Sequence, residues 1–217
     1  MNRKERYIAV LEHFRHEMPE VTTELHYDNV FQLLVAVILS AQCTDKRINQ
    51  VTPELFRRYP DARSMAQAEP AEVLDYISSV SYPNSKAAHL VQMARTLVEK
   101  HNGEVPSDMN QLLDLPGVGR KTANVVQSIA FGQATLAVDT HVYRVSHRLG
   151  LVPRTANTPL KVEQTLLRYI DEADRPRAHH WLLLHGRYVC TSRAPHCDRC
   201  PLADVCPKLI DGSRLNH

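Results

Sequence analysis

Four of the five cysteines in this 217-residue chain lie close together near its C-terminal end. Cys190, Cys197, Cys200 and Cys206 follow the pattern Cys-x6-Cys-x2-Cys-x5-Cys in the stretch CTSRAPHCDRCPLADVC. Four thiolates at this spacing indicate a metal site, and both zinc and a [4Fe–4S] cluster suit them. Zinc ribbons usually pair two Cys-x2-Cys units, whereas this stretch has one, so the pattern favours iron–sulfur. Cys43 lies far away in the chain and is predicted to be a buried free thiol.

Basic side chains surround these four cysteines. Arg193, His196 and Arg199 lie among them, and Lys208 follows the last one. Such a loop suits contact with a DNA phosphate, although its positive charges would also offset the negative charge of a bound cluster. We predict that Arg193 contacts DNA.

A glycine-rich turn in LPGVGRKTANVV (115–126) is a second candidate site. Gly117 and Gly119 let the backbone approach a ligand closely, and turn N–H groups at the positive end of a helix suit one phosphate. A P-loop needs four residues between its glycines, and a dinucleotide fingerprint needs a third glycine where this chain has Thr122. The turn therefore favours a DNA backbone phosphate, with an ordinary helix–helix connection as the alternative.

Lys121 lies in the first turn of the helix that follows these glycines. The helix dipole disfavours a positive charge there. If Lys121 is also buried, both effects would lower its pKa and produce an amine able to act as a nucleophile. The alternative is an ordinary solvated lysine beside the polar Asn124 and Ser128. The buried face of this helix is predicted to consist of Thr122, Val125, Val126 and Ile129.

Asp139, in LAVDTHVYRVSHRLG, stands directly before an amphipathic helix. The predicted inward side chains of that helix are Val142, Val145 and Leu149. Aspartate is among the best N-cap residues, so we expect Asp139 to cap the helix. A capping carboxylate is held rigidly and stays ionised, which allows it to stabilise a developing cation as well.

The pattern around these residues predicts an all-α protein of about ten helices joined by short loops. No stretch alternates with a period of two residues, so strands are not expected. Residues 29–42 are apolar nearly all round and predict a central, buried helix. Helix starts are predicted at Pro70, after Ser85 and at Thr158-Pro159, and left-handed helix ends at Gly103, Gly132 and Gly150. The histidines of HHWLLLH (179–185) share no helix face with an acid, so we expect them to be structural or to face DNA.

Composition narrows the class of protein. Hydrophobic residues make up 43% and charged residues 23% of the chain, which argues against disorder. The net charge is only +2, so any surface that binds nucleic acid must be a local one. The longest apolar run, LLVAVIL (33–39), is too short to span a bilayer, and no signal peptide is evident. These features predict a soluble cytoplasmic protein, nucleoid-associated if bacterial.

Taken together, LPGVGRKTANVV, AVDTHVYRV, HGRYVC and the cysteine pattern resemble the endonuclease III family of DNA glycosylases. LLVAVILSAQCTD and HNGEVP are similar to it too, and the resemblance covers essentially the whole chain. It implies a bilobal, all-α helix–hairpin–helix fold with a C-terminal [4Fe–4S] cluster loop and with DNA bound between the lobes. The implied domains are a six-helix domain over 22–132 and a cluster domain made of 1–21 plus 133–217.

The resemblance also implies an activity and its residues. A bifunctional monomeric enzyme would excise oxidised pyrimidines from double-stranded DNA and cleave the abasic strand by β-elimination. Lys121 would be the nucleophile that forms a Schiff base, Asp139 its acidic partner, and Gln42 the residue that fills the gap left by the flipped nucleotide. The four cysteines would hold a [4Fe–4S] cluster of mainly structural role. The predicted DNA contacts are Gln42, Tyr82, Leu115, Gly117, Val118, Gly119, Arg120, Thr140, His141 and Arg193.

One loop departs from the family pattern. Members commonly carry glycine, then an aromatic residue or leucine, then tyrosine before Asn-Ser-Lys-Ala. This chain reads SVSYPNSKA, with Ser81 in place of the glycine and Pro83 in place of the aromatic residue directly before Asn-Ser-Lys-Ala. Tyr82 occupies the place of the residue that wedges into the opposite strand. The loop therefore bears on opposite-base preference.

Two alternative functions belong to different classes. The first is the related adenine glycosylase that acts on mispairs with oxidised guanine, which has no lysine at the catalytic position. The second is a non-catalytic helix–hairpin–helix module that only docks on DNA. Lys121 favours the lyase over both, and cleavage of abasic DNA separates the enzyme from the docking module.

Overall fold

The computed structural model describes residues 1–208, and the chain divides into two compact units. One consists of Glu24–Gln133, and the other of Met1–Thr23 with the chain from Ala134 onward. Residues 209–217, which the predicted cluster domain includes, lie outside the described part. The helices are α1 (Arg3–Glu17), α2 (Val30–Leu39), α3 (Asp45–Arg58), α4 (Ala62–Ala66), α5 (Pro70–Ile77), α6 (Pro83–His101), α7 (Met109–Leu113), α8 (Arg120–Phe131), α9 (Thr140–Arg148), α10 (Pro159–Leu166) and α11 (Arg175–Tyr188).

The predicted all-α class is confirmed. Between residues 1 and 208 the regular structure is helical, with short 3-10 helices at Glu172–Asp174 and Cys197–Arg199 and no strand. None of the helices in this range combines the length and apolar character that crossing a membrane requires.

Helix α2 is the central helix of the Glu24–Gln133 unit. Every residue from Phe31 to Leu39 is buried, and α3, α6 and α8 pack around it. This confirms the predicted buried helix, but the helix ends at Leu39 rather than reaching residue 42. Beyond Leu39 the chain turns away from the helix axis, and Gln42 adopts a left-handed backbone conformation (φ +55°), which a continuing helix does not allow.

Most predicted helix boundaries of this unit are confirmed. Helix α5 begins at Pro70, and Gly103 (φ +84°) and Gly132 (φ +63°) are left-handed at the ends of α6 and α8. The predicted start of α6 was wrong. The helix begins at Pro83, and the residue that precedes it is Tyr82 rather than Ser85. The fixed φ of proline suits the first helical position, which allows α6 to begin earlier than the serine signal indicated.

The other unit surrounds Trp181, which is fully buried and donates from Nε1 to the Met18 carbonyl at 2.7 Å. Helix α1 contributes Phe14, which stacks on the indole, and α11 packs along α9. Thr158 caps α10 as predicted, and Gly150 (φ +66°) follows α9 in the predicted left-handed conformation. The start of α9 and the cysteine-rich segment both pack against this core.

Candidate functional site

The glycine turn is a hairpin between α7 and α8, as predicted. The Val118 N–H donates to the Leu115 carbonyl at 3.1 Å, and both side chains are buried, so they anchor the turn to the core. Gly117 and Gly119 are exposed at its tip. Gly117 has φ +80°, a conformation that favours glycine.

Helix α8 begins directly at this exposed tip. Gly119 is its N-cap and has no side chain to bond the first-turn N–H groups. Arg120 is exposed and Lys121 is half-buried in the same turn. The arrangement combines a positive helix end, an accessible backbone and two cationic side chains, which suits an anionic ligand.

The predicted buried face of α8 was partly wrong. Val125 and Val126 are buried, but Thr122 and Ile129 are only half-buried, and Asn124 is buried although its polarity indicated exposure. The reason is that α8 packs against both α2 and α7, which covers a wider arc of the helix than one apolar stripe. Polar groups in this arc are bonded internally, as when Gln127 Nε2 donates to the Ser107 carbonyl at 2.8 Å.

Gln42 and Tyr82 lie at neighbouring exposed loops of the same unit. Both have left-handed backbones, with φ +55° and +56°, and the Tyr82 side chain is 65% exposed. The Ser81 hydroxyl donates to the Gln42 carbonyl at 2.7 Å, which ties the two loops together. Two predicted DNA contacts are thus adjacent and accessible.

Asp139 caps α9 as predicted. Its Oδ1 accepts from the Val142 N–H at 2.8 Å, while Val142 and Val145 are fully buried below it. The carboxylate is half-buried, and Thr140 beside it is exposed. The segment before Asp139 is also held, since His179 Nδ1 lies 2.9 Å from the Ala137 carbonyl.

Arg144 links the start of α9 to the cysteine-rich segment, a connection that no sequence pattern indicates. Its guanidinium lies 3.2 Å from His141 Nδ1 and donates to the Gly186 carbonyl at 2.8 Å. It also donates to the Cys190 carbonyl from two nitrogens, at 3.2 and 3.3 Å. One feature of the sequence could have pointed to Arg144 itself. It lies one turn into α9, and the first residues of that helix were already predicted to contact DNA.

The four clustered cysteine thiols lie near enough to one another to interact electrostatically. Burial raises the pKa of Cys206, a backbone hydrogen bond from Lys208 lowers it, and the charges of Cys190, Cys200 and Cys197 raise it further. Yet within residues 1–208 no group of three or more His, Cys, Asp or Glu side chains is arranged to hold a single metal ion. Each iron of a [4Fe–4S] cluster takes one thiolate, so four neighbouring thiols are a suitable set of ligands for it.

Polar groups surround these thiols, and two of them are hydrogen-bond donors, Arg148 and the Lys208 N–H. Arg148 Nη1 lies 3.6 Å from Cys190 Sγ, and the Lys208 N–H lies 3.3 Å from Cys206 Sγ. His185 Nε2 lies 3.8 Å from Cys200 Sγ, and burial lowers the pKa of His185 to about 4, so this imidazole is neutral. Donors such as Arg148 and the Lys208 N–H stabilise the sulfur ligands of an iron–sulfur cluster.

Three other expectations have mixed outcomes. The histidines His179, His180 and His185 are buried, which favours the structural role over the DNA-facing one. Cys43 is a free thiol as predicted but is half-exposed rather than buried, because α2 ends before it. Arg193 is exposed, as a DNA contact requires.

Comparison with known proteins agrees with this geometry. Residues 35–172 match the HhH-GPD superfamily of base excision DNA repair proteins, and residues 190–206 match the iron–sulfur binding domain of endonuclease III. The chain is 45% identical to endonuclease III of Rickettsia felis, over 91% of this chain and 92% of that one. It is 43% identical to endonuclease III of Escherichia coli, over 95% and 96% of the two chains.

The chain belongs to the endonuclease III family. A solved structure of a trapped endonuclease III–DNA covalent intermediate superposes with a TM-score of 0.91 at 41% identity, covering 96% of this chain and 97% of that chain. As a family member, the chain is a DNA glycosylase of base excision repair with lyase activity at abasic sites, and its cofactor is a [4Fe–4S] cluster. Family membership thus favours the lyase over the adenine glycosylase and the docking module.

Proposed function

We propose that this enzyme excises oxidised pyrimidines from duplex DNA, with Lys121 as its nucleophile and Asp139 as the acidic partner. The observation that carries the proposal is the position of Lys121, half-buried in the first helical turn behind an exposed glycine tip. A relative of the same fold forms a covalent intermediate with DNA, which requires a nucleophilic group in the protein.

The chemistry follows from an amine at that position. The Lys121 amine attacks C1′ of the damaged nucleotide, the bond from C1′ to the base breaks, and the base leaves. The amine gives up its two protons, one to the expelled base and one to the ring oxygen O4′, which is released as the sugar ring opens, and an imine forms between Nζ and C1′. The imine makes the proton at C2′ acidic, and its removal expels the 3′ phosphate oxygen from C3′, which cuts the strand.

Asp139 supports these steps through its charge. One carboxylate oxygen is bonded to the Val142 N–H, which orients the group. The carboxylate takes up the proton that the lysine ammonium must lose and stabilises cationic character at the sugar.

DNA binding is assigned to the exposed parts of both units. The backbone at Gly117 and Gly119 takes one phosphate together with Arg120, and buried Leu115 and Val118 contribute only through their main chain. Gln42 fills the gap left by the extruded nucleotide and Tyr82 wedges into the opposite strand. Thr140, His141 and Arg193 supply further contacts.

Cys190, Cys197, Cys200 and Cys206 are assigned as the ligands of the [4Fe–4S] cluster. When bound, the cluster supplies a rigid link that orders the segment 190–206 and takes no part in the steps above. The enzyme acts as a monomer in the cytoplasm, where the DNA of the bacterial relatives lies.

Borohydride trapping tests the assignment of Lys121. The parent enzyme is expected to form a covalent complex with duplexes that contain an abasic site or an oxidised pyrimidine. Lys121→Gln keeps a long polar side chain without a nucleophilic amine, so trapping and strand cleavage should be lost together while lesion binding persists. Lys100→Gln, which removes an exposed lysine of the same unit, is the matched control and should trap like the parent. Trapping by Lys121→Gln at the parent rate would mean that another amine is the nucleophile.

A further inference from the structure

Three carbonyl groups at the end of α2 are bonded by side chains that lie far along the chain. Lys86 Nζ donates to the Leu39 and Ala41 carbonyls, each at 2.7 Å, and the Ser81 hydroxyl donates to the Gln42 carbonyl at 2.7 Å. The last carbonyls of a helix have no N–H partner within the helix, and a cation is favoured at that end. The segment 81–86 therefore acts as an external cap for the segment 39–42.

Lys86 is buried in this arrangement, and burial lowers its pKa. Its ammonium is directed at two carbonyl oxygens of the protein rather than at solvent. Lys86 thus fixes the base of the loop, while Ser81 is the side chain that reaches the exposed end of it.

The exposed end of this loop has an unfavourable backbone conformation. Gln42 and Tyr82 are both left-handed, which side chains with a Cβ rarely adopt, and a bulky residue such as Tyr82 does so less often still. Such conformations persist only where the surroundings determine them, and they are frequent at functional sites. The Ser81 hydroxyl bond to the Gln42 carbonyl is the side-chain contact that restrains the Gln42 backbone at its own carbonyl.

We propose that Ser81 is a positioning residue, whose hydroxyl fixes the Gln42 backbone so that Gln42 and Tyr82 enter the duplex as one preformed pair. The inference rests on the DNA-inserting roles assigned to these two residues in the proposed function. A preformed pair loses less conformational freedom when the nucleotide is extruded, which accelerates extrusion without any contact between Ser81 and the reacting atoms.

The test compares two forms of the same abasic substrate. Extrusion is needed when the abasic site lies in a duplex and is not needed when it lies in single-stranded DNA. Under single-turnover conditions with borohydride, Ser81→Ala is expected to trap the duplex about threefold to tenfold more slowly than the parent, the range expected for loss of one neutral hydrogen bond. Its rate on the single strand should stay within about twofold of the parent rate.

Two variants complete the design. Ser79→Ala removes an exposed hydroxyl two residues away and should match the parent on both substrates. Ser81→Thr keeps the hydroxyl and should retain the parent rate on the duplex. A duplex with a fluorescent base opposite the lesion reports extrusion directly. Of the three variants, only Ser81→Ala should slow the change in its fluorescence.

The possible results separate the two proposals. Equal loss on duplex and single strand, no loss on the duplex, or a Ser81→Thr as slow as Ser81→Ala would each overturn the positioning role. Failure of the parent enzyme to trap either substrate would instead overturn the Lys121 assignment on which the role rests.

Discussion

The Asp139 carboxylate accepts a hydrogen bond from the Val142 N–H at 2.8 Å, so one oxygen of the proposed acidic partner also caps α9. Structure and chemistry therefore depend on different properties of the same group. The cap needs an acceptor oxygen, which an amide also offers, whereas the reaction needs the negative charge. Conservative substitutions can separate the two.

Asp139→Asn is expected to preserve the fold and remove most of the activity. The amide oxygen still accepts from the Val142 N–H, so the free energy of unfolding should change by less than about 0.5 kcal/mol. The single-turnover rate of base excision should fall on the order of 100-fold or more because the charge that accepts a proton is gone. Lesion-duplex affinity should be retained or increased, since a negative charge near phosphate is removed.

Asp139→Ala is the comparison that isolates the cap. It removes the acceptor as well, so it should destabilise the protein by about 1 kcal/mol in addition to the same rate loss. Thermal unfolding and single-turnover kinetics on both variants measure the two effects. An Asp139→Asn enzyme with the parent rate would contradict the proposed role.

The two glycines of the hairpin are expected to respond differently to alanine. A Cβ at Gly119 would meet nothing within 4 Å, and its backbone is extended, so Gly119→Ala should cost less than about 1 kcal/mol of stability. The new methyl group would lie where a phosphate must approach, so affinity for damaged and undamaged duplex should fall alike, by about tenfold. Equilibrium binding to both duplexes checks this.

Gly117→Ala should act mainly on the fold. Its φ of +80° disfavours alanine, and the added Cβ would lie 3.1 Å from the Cβ of His89. A loss of roughly 1–2 kcal/mol in the free energy of unfolding is expected. If Gly119→Ala is the more destabilised of the two and binds DNA normally, the hairpin is a structural turn and not a phosphate site.

The cysteine-rich segment should carry iron in a fixed ratio. Protein purified without oxygen is expected to be yellow-brown and to contain about four irons per chain. Cys200→Ala should lose iron and destabilise the unit that contains Trp181, because cluster binding and ordering of this segment are coupled. Cys43→Ala, which removes the cysteine outside the cluster, should keep the parent iron content and is the control. Stoichiometric zinc in protein from iron-replete cells would contradict the assignment.

Tyr7 should make the protein sensitive to alkali. Its hydroxyl is buried without a hydrogen-bond partner among the described residues, and burial raises its pKa well above 10. A raised folded-state pKa means that the neutral phenol is favoured in the fold. The contribution of this group to the free energy of unfolding is therefore fully present below about pH 10, where the tyrosine of the unfolded chain titrates. It is lost progressively as the pH rises above that value.

Tyr7→Phe tests this directly. Removing an unsatisfied buried hydroxyl should raise the free energy of unfolding by roughly 1 kcal/mol at pH 7 and reduce its decline above pH 10. Tyr169→Phe, at the ring that stacks on Tyr7 with centroids 4.6 Å apart, leaves the buried phenol in place and should keep the alkaline decline. Denaturant unfolding at several pH values distinguishes the two, and equal declines in both variants would assign the effect to other groups.

Features that depend on a few neighbouring residues could be predicted from the sequence. Asp139 before α9, Thr158 before α10 and the left-handed Gly132 were predictable because caps and turns act within about one helical turn. The cysteine spacing likewise indicated a cluster, since all four thiols lie within 17 residues, from 190 to 206. Combined with the Lys121 motif, these local signals were sufficient to reach the family.

Features that depend on packing between distant segments became visible only in the folded chain. Asn124 is buried because α2 and α7 both cover α8, which no periodicity within α8 encodes. Lys86 caps α2 from 47 residues away, and Ser81 reaches Gln42 across 39 residues, so their polar side chains gave no sign of these partners. A hydrogen bond between remote segments exists only once the chain has folded, because its geometry is set by the packed helices and not by either segment alone.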